Sequence, residues 1–216
     1  MLRLFAENGV LRRNRTLLLG GLAVVIALLI GYGMGLLTPS LRAPGDTSPE
    51  AGFARDMSTH HAQAVEMAMI AYPKAQNTEV KATSYNIALG QQAEIGIMAT
   101  WLKDWNLLPT GSRPKMAWMP DGEQAVQANH GLMPGMATDA ELKQLEAATG
   151  TESDILFCQL MIRHHLGGIH MIDGLLAQSH DQQVIDVAQT MKANQQAEID
   201  TLRQTLTDLH AKPLGT

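Results

Sequence analysis

The sequence FARDMSTHHAQAVEM at residues 53–67 recurs as FCQLMIRHHLGGIHM at residues 157–171. The offset of 104 residues persists further along the chain, where residues 91–95 and 195–199 both read QQAEI. Ungapped alignment at this offset gives 11 identities in 46 positions, and these include the His-His pairs and the methionines that flank them. Self-similarity at one fixed offset is typical of a duplicated structural unit.

Helix start and stop signals surround both copies. Ser48-Pro49 places a capping residue before a proline at the first helical position, and Pro73 ends this helix near Tyr72. Asn77 is a capping residue for the second helix. The chain shows no sustained alternation of apolar and polar residues, so we expect no sheet. The four long helices are predicted to cover about residues 49–72, 77–105, 152–178 and 181–210.

These helices predict an all-α protein in which a duplicated helical hairpin forms a four-helix bundle. Before the bundle we expect a basic tail at residues 1–16, a transmembrane helix at 17–37 and a linker at 38–50. The bundle is predicted over residues 51–210, with hairpin one at 51–105, a Met/His-rich connection at 106–150 and hairpin two at 151–210. In the connection, Thr138 and Glu141 predict a capping box that opens a short helix, which Gly150 would end.

The N-terminal region predicts a single membrane anchor. Residues 17–37 carry no charge, and about 20 apolar residues are enough to span a bilayer as a helix. Four arginines and one glutamate precede the segment, so the positive-inside rule predicts a cytoplasmic N-terminus and an extracytoplasmic bundle in the cell membrane. A cleaved signal peptide is the alternative, but its apolar region is usually shorter, and residues 38–42 show no clear small-residue cleavage site.

Charge and cysteine content exclude several functions. Without residues 1–37 the chain keeps 12 of its 16 basic and 20 of its 21 acidic residues, a net charge of −8. An acidic exported domain is a poor nucleic-acid binder. Cys158 is the only cysteine, which excludes an internal disulfide, a zinc finger and an iron–sulfur cluster. We expect Cys158 to be a small apolar core residue.

Both copies of the repeat place metal-ligand residue types on one helix face. At about 100° per residue, Met57, His60, His61 and Met67 share one broad face, and the second copy repeats the pattern. An inward glutamate follows each copy, and a carboxylate among core residues is costly unless it is paired or bound to a cation. Methionine stripes and single inward histidines are usually structural, and the glutamates could simply anchor the histidines. The double occurrence favours metal binding, with candidate ligands Met57, His60, His61, Met67, Glu94, Met161, His164, His165, Met171 and Glu198.

The connection between the hairpins adds a second group of candidates. Long segments without periodic structure tend to be functional or disordered. Thioether and imidazole donors suit copper, and above all Cu(I), in an exported setting. The same methionines could instead pack over the bundle as a hydrophobic lid. The candidate ligands in this segment are Met116, Met119, His130, Met133 and Met136.

These motifs resemble the bacterial family called domain of unknown function 305. The resemblance rests on Phe53-x-x-x-Met57-x-x-His60-His61, on its second copy from Phe157, and on Met133-Pro-Gly-Met136. It covers about residues 50–210 and implies a ferritin-like four-helix bundle, exported or membrane-anchored, with copper binding and copper tolerance among its members. The second copy departs from the pattern at Gly167-Gly168 and His170, so the two halves need not be equivalent.

The expected function is therefore copper binding without catalysis. The protein would sequester copper, as Cu(I) or Cu(II), or pass it to a partner outside the membrane. One alternative is a di-iron or di-manganese oxidase, although the Glu-x-x-His motif of such bundles is missing from the sequence. Another alternative is an interaction module without metal, such as a subunit of an envelope membrane complex.

Overall fold

A computed structural model describes residues 19–34 and 43–214, and within these ranges the protein contains helices and no strands. The all-α prediction is confirmed for this part of the chain. The seven helices are α1 (19–34), α2 (Pro49–Ala71), α3 (Thr78–Asp104), α4 (Gly122–Ala128), α5 (Asp139–Ala147), α6 (Gly150–Leu176) and α7 (Gln182–Asp208).

Helix α1 lies inside the predicted membrane anchor at residues 17–37. The two ends of that predicted segment fall outside the described residues. Across residues 19–34 and 43–214, the structure contains no helix that is both long and apolar enough to cross a membrane. The six other helices belong to one compact unit that begins at Pro44.

Local capping explains where most helices of this unit begin. Ser48 Oγ accepts a hydrogen bond from the Ala51 amide at 3.2 Å, and Pro49 is the first residue of α2. Thr138 and Glu141 form the predicted capping box at the start of α5. The prediction for Gly150 is wrong, because α5 ends at Ala147 and Gly150 is the first residue of α6. Its positive φ of 62° makes the sharp turn that joins the two helices.

The four long helices form two antiparallel hairpins, α2 with α3 and α6 with α7. The hairpins meet mainly along α2 and α6, while α3 and α7 make a thinner contact. The buried apolar side chains fall into two clusters. One contains Phe53, and the other contains its repeat partner Phe157. The first cluster combines the first half of α2 with the second half of α6, and the second cluster combines the second half of α2 with the first half of α6. The clusters therefore lie at opposite ends of the bundle.

The two ends differ in sulfur content. The Met-rich end contains eight buried methionines, which are Met57, Met98, Met116, Met119, Met133, Met136, Met171 and Met191. The aliphatic end contains two buried methionines, Met67 and Met161, packed among alanine, isoleucine, leucine and valine side chains together with Phe157 and Cys158. At the 104-residue offset Met98 corresponds to Leu202, and Met191 corresponds to Ile87. The duplicated hairpins have therefore diverged at core positions.

Cys158 belongs to the aliphatic end and is fully buried. Burial raises the pKa of its thiol to about 12, so the thiol stays protonated. This environment agrees with the expectation that Cys158 is a small apolar core residue.

Candidate metal centre

A layer of four buried histidines lies between the two ends of the bundle, where α2 and α6 pack together. We call His60, His61, His164 and His165 the histidine layer; each is at most 1% exposed. The rings of His60 and His164 stack at a centroid distance of 3.8 Å with 34° between their planes. The repeat therefore brings equivalent histidines of the two copies into direct contact.

Hydrogen bonds fix the orientation of three of these rings. His61 Nε2 lies 2.7 Å from Glu94 Oε2, and His165 Nε2 lies 2.6 Å from Glu198 Oε2. His60 Nε2 lies 3.0 Å from the carbonyl oxygen of Pro134. A carbonyl oxygen only accepts, so His60 Nε2 carries the proton and the lone pair of the neutral ring is on Nδ1.

Unpartnered nitrogens remain in the interior of the layer. The Nδ1 atoms of His60, His61 and His165 are buried without a hydrogen-bond partner, and neither ring nitrogen of His164 has one. Buried polar atoms are normally paired, and an unpaired one is costly. A ring whose Nε2–H is held by an acceptor while Nδ1 is free has the arrangement of a metal-ligating histidine with its supporting acceptor.

Burial keeps the central rings uncharged. The pKa of His60 falls to about 3, mainly because of burial and with smaller contributions from His61 and His165, although the hydrogen bond to the Pro134 carbonyl opposes the shift. Burial also brings the pKa of His164 well below its ordinary value, with smaller contributions from the other three histidines. Neutral imidazole is the form that binds metal ions, so the two central rings are in the binding form at neutral pH.

We expect the metal-free protein to lose stability as the pH falls below 6.5. The pKa values of His60 and His164 are lower in the folded than in the unfolded chain, which therefore binds more protons in acid. Their contribution is fully present above pH 6.5 and falls by at most about 2.7 kcal/mol per pH unit below it. Urea unfolding at several pH values measures this slope. It should shrink in a His60→Asn/His164→Asn variant and persist when the exposed His180 and His210 are replaced. An equal slope in both variants would contradict the assignment.

The structure divides the methionines of each motif between the two ends. Met57 and Met67 are ten residues apart, which is about 15 Å along a helix, too far to bind one ion together. Met57 joins Met171 in the Met-rich end, while Met67 joins Met161 in the aliphatic end. Each end thus combines one methionine from each copy of the motif.

The connection is more ordered than its sequence predicted. It contains α4, and Met116, Met119, Met133 and Met136 are all buried in the Met-rich end. This packing agrees with the alternative in which the methionines of the connection cover the bundle as a hydrophobic lid. His130 is exposed and has a positive φ of 55°, so the structure does not bring it into the buried groups.

A buried carboxylate holds this connection against α2. Asp56 Oδ2 accepts hydrogen bonds from the Met116 amide at 2.7 Å and from Trp118 Nε1 at 2.8 Å. The Trp118 ring also contacts Phe53 edge to face at a centroid distance of 5.9 Å. Burial raises the pKa of Asp56, while its two hydrogen bonds lower it.

Four buried residues beside these groups were not among the predicted ligands. Met98 follows Glu94 by one helical turn, and Met191 precedes Glu198 by two turns, so helical spacing from the inward glutamates could have indicated both. The side-chain amides of Gln91 and Gln195 are buried without partners. The sequence shows that both glutamines belong to the repeated QQAEI segment, but it does not show that their side chains lack hydrogen-bond partners.

The donor chemistry of the region is soft. Within residues 19–34 and 43–214, no three His, Cys, Asp or Glu side chains are arranged to hold a metal ion. In addition to the imidazole nitrogens of the layer, the bundle core contains the thioether sulfurs of the Met-rich end. Neutral imidazole and thioether ligands fit Cu(I) better than hard, oxygen-ligated metals.

Duplicated hairpins around a buried histidine layer, with methionines concentrated at one end, define a class of all-α bundle with a soft-donor core. The chain belongs to the family described as domain of unknown function DUF305, whose sequence model matches residues 50–206. The predicted family membership is confirmed. No curated protein matches the sequence.

Solved structures support the same assignment. A DUF305 protein from Streptomyces coelicolor, described as secreted, is 37% identical with a TM-score of 0.71; the match covers 80% of this chain and 100% of that one. CopM in its Cu(II)-bound form is 28% identical with a TM-score of 0.58, over 74% of this chain and 97% of that one. CopM in its Cu(I)-bound form is 26% identical with a TM-score of 0.56, over 78% and 99%.

Proposed function

We propose that the protein is a membrane-anchored, extracytoplasmic copper-binding protein that sequesters copper or transfers it to a partner, without catalysis. The observation that carries the proposal is the histidine layer, whose buried and unpartnered nitrogens lie on the same two helices that contribute Met57 and Met171 to the Met-rich end. Neutral rings with free Nδ1 atoms would supply nitrogen ligands, and the adjacent thioethers would supply sulfur ligands.

Two features indicate which residues would hold the ion. His60, His61, His164 and His165 offer free ring nitrogens, while Glu94 and Glu198 contact the opposite nitrogens of His61 and His165. The glutamates then act as supports that fix the ring orientation and increase ligand basicity. The Met-rich end would complete the coordination, as Met57 and Met171 belong both to the repeated motif and to that end.

Relatives support copper as the cargo. CopM, of similar fold, has been crystallised in Cu(I)-bound, Cu(II)-bound and silver-bound forms. Silver(I) is a soft monovalent ion, like Cu(I), and prefers the same sulfur and nitrogen donors. The secreted description of the Streptomyces relative supports an extracytoplasmic location. Anchoring through residues 17–37 rests on the uncharged sequence and the arginines before it.

The alternatives have less support. A di-iron oxidase needs several inward carboxylates and Glu-x-x-His motifs. The inward acids beside the layer are Glu94 and Glu198, and each contacts a histidine. An interaction module without metal would be expected to pair its buried histidine nitrogens, yet the Nδ1 atoms of His60, His61 and His165 have no hydrogen-bond partner.

Anaerobic titration of the purified protein with Cu(I), in competition with a chromophoric chelator, tests the proposal. We expect tight Cu(I) binding, retention of Ag(I), and much weaker binding of Zn(II), which gains little from thioether donors. Metal analysis of protein purified from copper-grown cells provides the second readout. Failure to compete with the chelator, or equal retention of zinc and copper, would contradict the proposed function.

A further inference from the structure

A groove of about 290 Å³ lies between α3 and α7, on the side of the bundle where these helices make their thin contact. We call it the axial groove; its lining includes the repeat-related pairs Gln91/Gln195 and Glu94/Glu198 from the two helices. The polar side chains that line it are Asn86, Gln91, Glu94, Asn194, Gln195 and Glu198. Its lining contains oxygen-bearing side chains and two carboxylates but no basic residue, so it favours a cation.

The groove connects directly to the histidine layer. Glu94 and Glu198 line the groove, and the same two carboxylates bind His61 and His165. The side chains of these glutamates are 14% and 23% exposed, whereas those of the two histidines are fully buried. A carboxylate on each side therefore links the solvent-facing groove to the buried rings.

Two buried amides in the groove lack partners. Gln91 and Gln195 are 3% and 2% exposed, and neither the Nε2 nor the Oε1 atom of either side chain has a hydrogen-bond partner. Gly168 makes room for one of them, since a Cβ atom there would lie 2.4 Å from Gln195 Oε1. Two unpaired amides at symmetry-related positions are costly in a folded core, which points to a ligand that they meet.

We propose that the axial groove is the entry port for the metal ion, with Gln91 and Gln195 as transit ligands between solvent and the histidine layer. This inference rests on the proposed function. Amide and carboxylate oxygens bind a soft monovalent ion weakly, so they strip its water without retaining it. The ion then exchanges these oxygens for imidazole nitrogen and thioether sulfur, which bind it more tightly.

Loading kinetics with Ag(I), which undergoes no redox change in the experiment, test the port. Protein is mixed rapidly with silver nitrate, quenched with excess thiosulfate at intervals, and the retained silver is measured by mass spectrometry. In a Gln91→Leu/Gln195→Leu variant we expect loading to slow at least tenfold, while the final silver content is unchanged. The same variant without metal should unfold at a higher temperature, because it no longer buries unpaired amides.

The adjacent glutamines provide a matched control. Gln92 and Gln196 are the next residues in each repeat and are exposed, so Gln92→Leu/Gln196→Leu should load at the wild-type rate. If the Gln91→Leu/Gln195→Leu variant loaded silver at the wild-type rate, the axial groove would not be the entry port, and the proposed function would be unaffected. Failure of the wild-type protein to retain silver would overturn the proposed function and the port with it. If the double variant does not fold, the single Gln91→Leu and Gln195→Leu variants carry the same test.

Discussion

Replacement of His60, His61, His164 and His165 by alanine together will raise the dissociation constant for Cu(I) by at least about 10⁴-fold. Loss of a residue that only supports a ligand typically weakens metal affinity 10–100-fold, and these four rings are themselves the proposed nitrogen ligands. The methionines left behind would still bind Cu(I), but only through thioether sulfur. Competition titration with a chromophoric chelator measures the change.

The chain offers a control for this experiment. His180 and His210 are exposed and lie outside the layer, so their replacement by alanine should leave Cu(I) affinity unchanged. Circular dichroism must show that the quadruple variant remains helical. A folded quadruple variant that binds Cu(I) as tightly as the wild type would refute the assignment of the histidine layer.

Gly167→Ala will destabilise the protein by about 1–3 kcal/mol, the usual cost of forcing an extra methyl group into a packed core. A Cβ atom at this position would lie 2.0 Å from the Pro134 carbonyl oxygen and 2.8 Å from the Gly135 nitrogen. Both are backbone atoms, so the turn that they form must shift. The shift would also move the acceptor of the His60 Nε2 hydrogen bond. Urea denaturation measures the loss, and we expect weaker Cu(I) binding in the same variant.

Gly96→Ala is the matched control, and it should increase the free energy of unfolding rather than lower it. Gly96 is also inside a long helix, but it is exposed, and a Cβ atom there would meet nothing within 4 Å. Alanine is favoured over glycine in a helix interior by roughly 0.5–1 kcal/mol, so this variant should be more stable. If Gly167→Ala stabilised the protein as Gly96→Ala is expected to, this result would contradict the close packing of Gly167 in α6 against the Pro134 backbone.

The helices could be predicted because their signals are local. Caps at Ser48, Asn77 and Thr138 act within one turn, and the structure contains all three. The inward direction of His61 and Glu94 followed from helical spacing, and these two side chains contact each other. Helix α4 was missed because seven residues carry too little periodic pattern to identify.

The arrangement of the site could not be predicted because it depends on contacts between distant segments. The motif suggested that Met57 and Met67 act together, but the antiparallel hairpins place Met57 beside residues of the last two helices. The Pro134 carbonyl reaches His60 across 74 residues of sequence. Nothing local indicates that Gln91 would remain unpaired, since a lone glutamine in a helix usually finds a partner.

Because the two ends of the bundle bury different residues, the two ends are not equivalent. A hairpin paired with an identical copy of itself would have two interchangeable halves, and any substitution would alter both at once. In this protein the two halves are encoded separately, and eight of the ten buried methionines among the described residues lie on one side. Under the proposed function, the aliphatic side would serve as a constant scaffold, and substitutions among the methionines of the other side would adjust metal preference.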